Sequence, residues 1–217
     1  MFTTLGHYIS SGLQEKVNQQ ELKDYEIFGK QVETLVSDLV MSFLSSKSII
    51  AFENRAHNKN EFPDLKLTIS DEVFAFEIKA GESSHGPAND MGTLNSYLDK
   101  IELYGDNIYC VFVKYTKPSG LGFITINEVY FDKIYTFIGK NSVNDNILKY
   151  RKKDGNLRPK NWNDTNTYFS TMSDFLTAIP LTIKYRSEQV AIEHIDNLDF
   201  DGLKNIKEFV DDKLKLG

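Results

Sequence analysis

Cysteine is almost missing from this chain. Cys110 is the only one in 217 residues, so no internal disulfide can form and no cysteine-based zinc site can be assembled. No apolar run approaches the roughly 18 residues of a membrane span, and Met1 to Gln20 lacks the charged-then-apolar layout of a signal peptide. There is no internal repeat and no glycine-rich phosphate loop of Walker type. Lone His57 has no metal-ligand partner at useful spacing. Basic residues are also outnumbered: 25 Lys and Arg against 31 Asp and Glu give a net charge of −6. That balance disfavours non-specific binding to a polyanion, which depends on Lys and Arg, although net charge does not fix the local field in a cleft. A soluble cytoplasmic protein with no membrane partner is expected, long enough to bury a core without disulfides.

The most informative stretch is residues 61–79. Leu65-Lys66-Leu67-Thr68-Ile69 alternates with the period of a half-buried strand. Residues 73–79 form a second strand-like run, and Ser70-Asp71-Glu72 between them is turn chemistry. A two-residue loop at Ser70-Asp71 places Asp64 opposite Glu77, and a four-residue loop places it opposite Lys79. Either register keeps the apolar residues on one face, whereas a three-residue loop would split them between faces. Asp64, Glu77 and Lys79 then converge on the other face, with directly opposed Cβ atoms about 5 Å apart. Two carboxylates are hard oxygen ligands suited to Mg2+, which keeps waters and binds phosphate oxygens. A neighbouring Lys can orient water or stabilise developing negative charge. Such a trio suits phosphodiester hydrolysis; the plainer alternative is a hairpin with solvent-facing charges that contribute little.

At these residues the chain resembles a known family. Pro63-Asp64, twelve intervening residues and Glu77-Ile78-Lys79 are similar to the PD-(D/E)xK signature of restriction-endonuclease-like nucleases. The order helix, strand, hairpin strands, helix, strand over about residues 28–115 is similar to their core. The resemblance implies an α/β fold: a restriction-endonuclease-like three-layer α/β/α core with a mixed central sheet, plus additional strands and helices in the C-terminal half. It implies that Asp64 and Glu77 bind Mg2+, with the Ile78 carbonyl as a further ligand, and that Lys79 positions or activates water. Glu33 matches an acidic residue that the family often carries on its first helix; a solvated surface Glu is the alternative. A type II restriction enzyme of this kind implies a homodimer that cuts both strands of double-stranded DNA at a palindromic site and leaves 5′-phosphates.

The rest of the chain fits around that core. Residues 1–24 form a short helix or an arm. Ile27, Phe28, Val32, Leu35, Val36, Leu39, Val40 and Phe43 recur at helical spacing. Ser48 to Glu53 reads as the first strand; Glu53 and Glu61 flank the hairpin, and either can approach the metal. The polar loop after Lys79 offers Ser83, Ser84, His85 and Asn89 to DNA, since loops beside rigid strand ends concentrate ligand contacts. Asn89 or Asp90 caps a helix running to Tyr104. The apolar run Ile108 to Val113, with Cys110 buried in it, is a strand ending near Lys114 and Lys117. Strands are expected over 122–126 and 129–138.

The one basic stretch spans 149–162, with six Lys or Arg in residues 149–160. It is flanked by Tyr150 and Trp162, and Asp154-Gly155 marks a turn. Arg151, Lys152, Lys153, Arg158 and Lys160, with Lys114 and Lys117, are the candidate phosphate contacts. Met172 to Ile179 reads as a short helix stopped by Pro180, 181–192 as a strand pair and Leu203 to Leu216 as a terminal helix. A single nuclease domain over 1–217 is expected, with its catalytic core at about 25–117 and a recognition or dimerisation elaboration from about 118. A structure-specific or repair nuclease and a non-catalytic DNA-binding module on the same fold are the alternatives.

Overall fold

The computed structural model describes residues 2, 4–56, 61–84, 87, 89–120, 122–196, 208 and 210–212. The N-terminal residues form a helix, α1 (Leu5–Gln19), whose buried positions Leu5, Ile9, Leu13 and Val17 recur every fourth residue as one stripe. A second helix, α2 (Tyr25–Ser46), is capped by Asp24, whose Oδ1 accepts from the Glu26 and Ile27 N–H groups at 2.7 and 3.3 Å. The apolar stripe expected from spacing is buried from Phe28 to Leu44. Ile27, also expected in that stripe, is exposed instead. The two helices approach so closely that a Cβ at Gly12 would lie 2.5 Å from a Leu39 methyl carbon.

Five strands form one sheet in the order β1-β2-β3-β4-β5: β1 (Phe52–Arg55), β2 (Leu65–Ile69), β3 (Glu72–Glu82), β4 (Ile108–Thr116) and β5 (Thr125–Lys133). β3 and β4 are parallel and joined through α3 (Leu94–Tyr104); the other neighbours are antiparallel. The sheet is therefore mixed. One face packs on α1 and α2 through Leu65, Leu67, Ile69, Phe74, Phe76 and Ile78. The other meets α3 and α4 (Met172–Asp196) through Ala75, Ile108, Cys110 and Phe112. This is a three-layer arrangement.

Several local expectations are corrected. The first strand begins at Phe52 rather than Ser48, because the preceding residues terminate α2. Ser48 adopts φ +57°, its N–H bonds the Ser45 carbonyl and the Ile49 N–H bonds that of Leu44, the left-handed motif that closes helix ends. α3 is capped by Thr93, which accepts from Ser96 N at 3.3 Å, rather than by Asn89 or Asp90. The two strands expected over 122–138 are one strand, β5, followed by a 3₁₀ turn at Ile134–Phe137. Its register shifts by one residue at Asn127.

The largest departure is α4. It runs through Pro180 where a stop and a strand pair were expected. Phe175, Ala178, Ile179 and Thr182 are buried at helical spacing, and this packing outweighs the proline. Pro180 itself lies on the exposed face, where water can satisfy the carbonyl that its missing N–H leaves free. The expected terminal helix at 203–216 lies mostly outside the described residues, as do His57 and His85.

Candidate active site

Ser70 and Asp71 both have positive φ, at 48° and 68°, the two-residue turn whose twist matches a β-hairpin. Ile69 pairs with Glu72 and Leu65 with Phe76. Of the two allowed loops the structure therefore has the two-residue one, and Asp64 sits one step beyond the Leu65–Phe76 pair, opposite Glu77. The apolar side chains of the hairpin face α1 and α2. Pleating then sends Glu77 and Lys79 to the α3 side.

The charged trio meets there. Lys79 Nζ lies 2.5 Å from Glu77 Oε1 and 3.9 Å from Asp64 Oδ2. The Ile78 N–H donates to Asp64 Oδ2 at 2.6 Å. Along β3 the odd-numbered residues direct backbone groups to β4, as the Ala75 N–H bond to the Asn107 carbonyl shows. Ile78 points the other way, and a strand residue's N–H and C=O lie on the same side. The Ile78 carbonyl thus faces the space beyond the end of β2, beside Asp64.

The electrostatics are strained. Burial, then the Glu77 charge, raise the Asp64 carboxyl, with a smaller contribution from Glu33; Lys79 and the Ile78 N–H oppose them, and the result is about 7. Burial pulls the Lys79 ammonium down, but Glu77 and Asp64 together hold it above its ordinary value. One ammonium balances incompletely the buried Glu77 and half-buried Asp64 carboxylates. The donor set is all oxygen: two carboxylates and a backbone carbonyl. A divalent cation would relieve the repulsion that raises Asp64, so the residues fit such an ion. Among the described residues no group of three or more His, Cys, Asp or Glu side chains is placed to hold a metal, so water and substrate oxygens would complete the shell.

The other candidate residues are more dispersed. Glu33 is an exposed residue of α2, near enough for its charge to act on Asp64. Glu53 is engaged by Arg55, which also reaches Asp38. Ser83 donates to the Tyr115 carbonyl and to Asn127, Ser84 to Glu82, and Asn89 to the Ala80 carbonyl. Lys117 pairs with Glu82 at 2.9 Å, while Lys114 lies over the Trp162 ring. The basic stretch docks against the loop after β3. Arg151 and Arg158 both bind Asp90, Arg151 also binds Asp154, and Trp162 Nε1 donates to the Glu82 carbonyl at 3.1 Å. Lys160 donates to the Asn166 carbonyl, whereas Lys152 and Lys153 are exposed. Sequence spacing gave no hint of Lys100, which projects from α3 into the field of Asp64, Glu77 and Lys79.

A cleft of about 1520 Å³ runs along β5 between His7 and the Lys114, Lys160 and Trp162 cluster, and the carboxylates do not line it. The trio's own side chains are only 9–19% exposed.

A family model described as NgoBV restriction endonuclease matches residues 11–210. The chain belongs to this family. It is accordingly a type II site-specific deoxyribonuclease, as the hairpin motif suggested. The fold agrees: the solved structure of NlaIV restriction endonuclease is similar, at 18% identity over 81% of this chain and 77% of that one, with a TM-score of 0.53. No curated protein matches the chain. No helix among the described residues is long and apolar enough to cross a membrane.

Proposed function

We propose that the protein is a Mg2+-dependent endonuclease that hydrolyses double-stranded DNA at a specific sequence through Asp64, Glu77 and Lys79, leaving 5′-phosphates. The observation that carries this reading is the convergence of a buried and a half-buried carboxylate with one ammonium at the end of the β2–β3 hairpin. Asp64 and Glu77 would hold the ion, with the Ile78 carbonyl beside them. The bound ion supplies Lewis-acid activation of water and of the phosphoryl group. Asp64 is fixed for this task by the Ile78 N–H. Lys79, held protonated by its two carboxylate neighbours, orients the attacking water and stabilises charge on the phosphoryl oxygens. The water oxygen forms a bond to phosphorus, the P–O3′ bond breaks, and a proton passes to O3′, giving a 3′-hydroxyl and a 5′-phosphate. Glu33 contributes negative field from the rim.

The loop after β3 and the 149–162 stretch would lie against DNA. Arg151, Arg158 and Asn89 hold this surface together, and Lys152, Lys153, Lys114 and Lys160 would face phosphates with Ser83 and Ser84. Two copies, one per strand, complete a double-strand cut. Plasmid DNA incubated with the protein and Mg2+ should give discrete fragments, with none in EDTA. DNA ligase should rejoin them without prior phosphorylation, and the protein should sediment as a dimer. Fragments that need phosphorylation before ligation would contradict the product assignment. Nicking or a preference for branched DNA would favour a repair enzyme.

A further inference from the structure

The helix that connects β3 to β4 turns one face towards the carboxylates. Tyr97, Lys100, Ile101 and Tyr104 recur at three- and four-residue spacing, so they share that face. Tyr97 is fully buried and its hydroxyl donates to the Met91 carbonyl at 2.7 Å. Lys100, one turn later, is half-buried, and its Nζ lies 3.9 Å from the centroid of the Phe62 ring and 4.8 Å from that of Tyr97. Phe62 stands two residues before Asp64, and Tyr104 packs edge-on against it at 5.9 Å. Aromatic faces attract a cation without neutralising it. They therefore fix the ammonium in place and leave its charge available.

That charge is set apart from the ion pairs around it. Lys79 is engaged by Glu77 and Asp64, whereas Lys100 makes no ion pair among the described residues. It nevertheless feels Asp64, Glu77 and Lys79 together, and its contact with the Phe62 ring, two residues before Asp64, sets it beside the same site in the α3 layer. A half-buried cation without an anion is costly unless something supplies one. Burial indeed lowers the Lys100 ammonium from its ordinary value, and an adjacent phosphate would favour its charged form.

We propose that Lys100 is a second catalytic cation, whose ammonium contacts a non-bridging oxygen of the scissile phosphodiester while Lys79 remains with the carboxylates. The inference rests on the nuclease reading of Asp64, Glu77 and Lys79. Two carboxylates repel an incoming phosphodiester, and the phosphoryl oxygens gain negative charge as water attacks. A preorganised cation on the α3 side offsets both effects.

The test compares wild type with Lys100→Met, which keeps the apolar stem against Phe62 and Tyr97, and with Lys100→Arg. Lys100→Gln replaces the first should it not fold. The substrate is a duplex spanning the cleavage site mapped with wild-type protein. Single-turnover cleavage at saturating duplex should slow by about 100-fold in Lys100→Met and recover in part in Lys100→Arg, with the melting temperature of both close to wild type. In EDTA, the slope of log affinity against log salt should fall by about 0.9, the value for one phosphate no longer neutralised. A Lys100→Met rate within a few-fold of wild type overturns the proposal. So does a slow variant with a lowered melting temperature and an unchanged salt slope, because the lysine would then be holding the carboxylates together. If wild type cuts no DNA, the nuclease reading falls instead, and an unchanged slope still overturns the phosphate contact.

Discussion

Asp64 destabilises the metal-free protein at neutral pH. Its folded-state carboxyl is raised to about 7, first by burial and then by Glu77, against about 3.9 in an unfolded chain. The folded state therefore binds this proton more tightly than the unfolded one. Its contribution to stability is complete below about pH 4 and is lost as pH rises through about 7. Asp64→Asn keeps an acceptor for the Ile78 N–H and removes the charge. In EDTA, thermal unfolding from pH 5 to 8 should show the variant gaining on wild type as pH rises and melting higher at pH 8. A constant difference across that range would mean that Asp64 is not under this strain. A functional residue that costs stability is expected where a carboxylate pair is built for a ligand.

The elements differ in how much of them the sequence exposes. In α2 a long apolar stripe on a capped helix leaves one solution, and the hairpin is pinned by alternation plus two turn residues that tolerate positive φ. The charged trio was readable because Asp64 immediately precedes β2 and Glu77 and Lys79 lie on the adjacent β3, where register alone sets their distance. Lys100 was not, because it reaches the site across a layer, through a helix packing angle that spacing does not encode. α4 is hidden in the sequence because Leu181-Thr182-Ile183 looks strand-like and Pro180 looks like a stop. Only the buried Phe175, Ala178, Ile179 and Thr182 positions reveal the helix. Thr182 also ties α4 to the 138–169 segment: its Oγ1 donates to the Ala178 carbonyl at 2.7 Å and accepts from the Leu148 N–H at 2.9 Å. Thr182→Val keeps the shape but leaves the buried Leu148 N–H without that acceptor. Denaturant unfolding should show a loss of about 1–3 kcal/mol, and an unchanged midpoint would show that this link carries no stability.

Across the whole molecule, an enzyme of net charge −6 must meet a polyanion through a local surface. Most of the basic stretch is internally engaged: Arg151 and Arg158 on Asp90, Lys160 on a backbone carbonyl. Lys152 and Lys153 stand exposed at its turn. Replacing both with Ala should reduce the salt dependence of DNA affinity by about 0.9 for each phosphate that these lysines neutralise, without affecting the fold. An unchanged slope would make the turn a solvated loop and move DNA contact elsewhere, the Lys114 and Trp162 cluster being the next surface to probe.

The assignment of the chemistry to Asp64, Glu77 and Lys79 is tested most directly by cleavage of plasmid DNA in Mg2+ by wild type, Asp64→Ala and Lys79→Ala, with circular dichroism and DNA binding recorded for each. Discrete fragments are expected from wild type alone, with both variants folded, still binding DNA and reduced in cleavage by at least about 100-fold. Fragments produced at the wild-type rate by either folded variant would contradict the assignment.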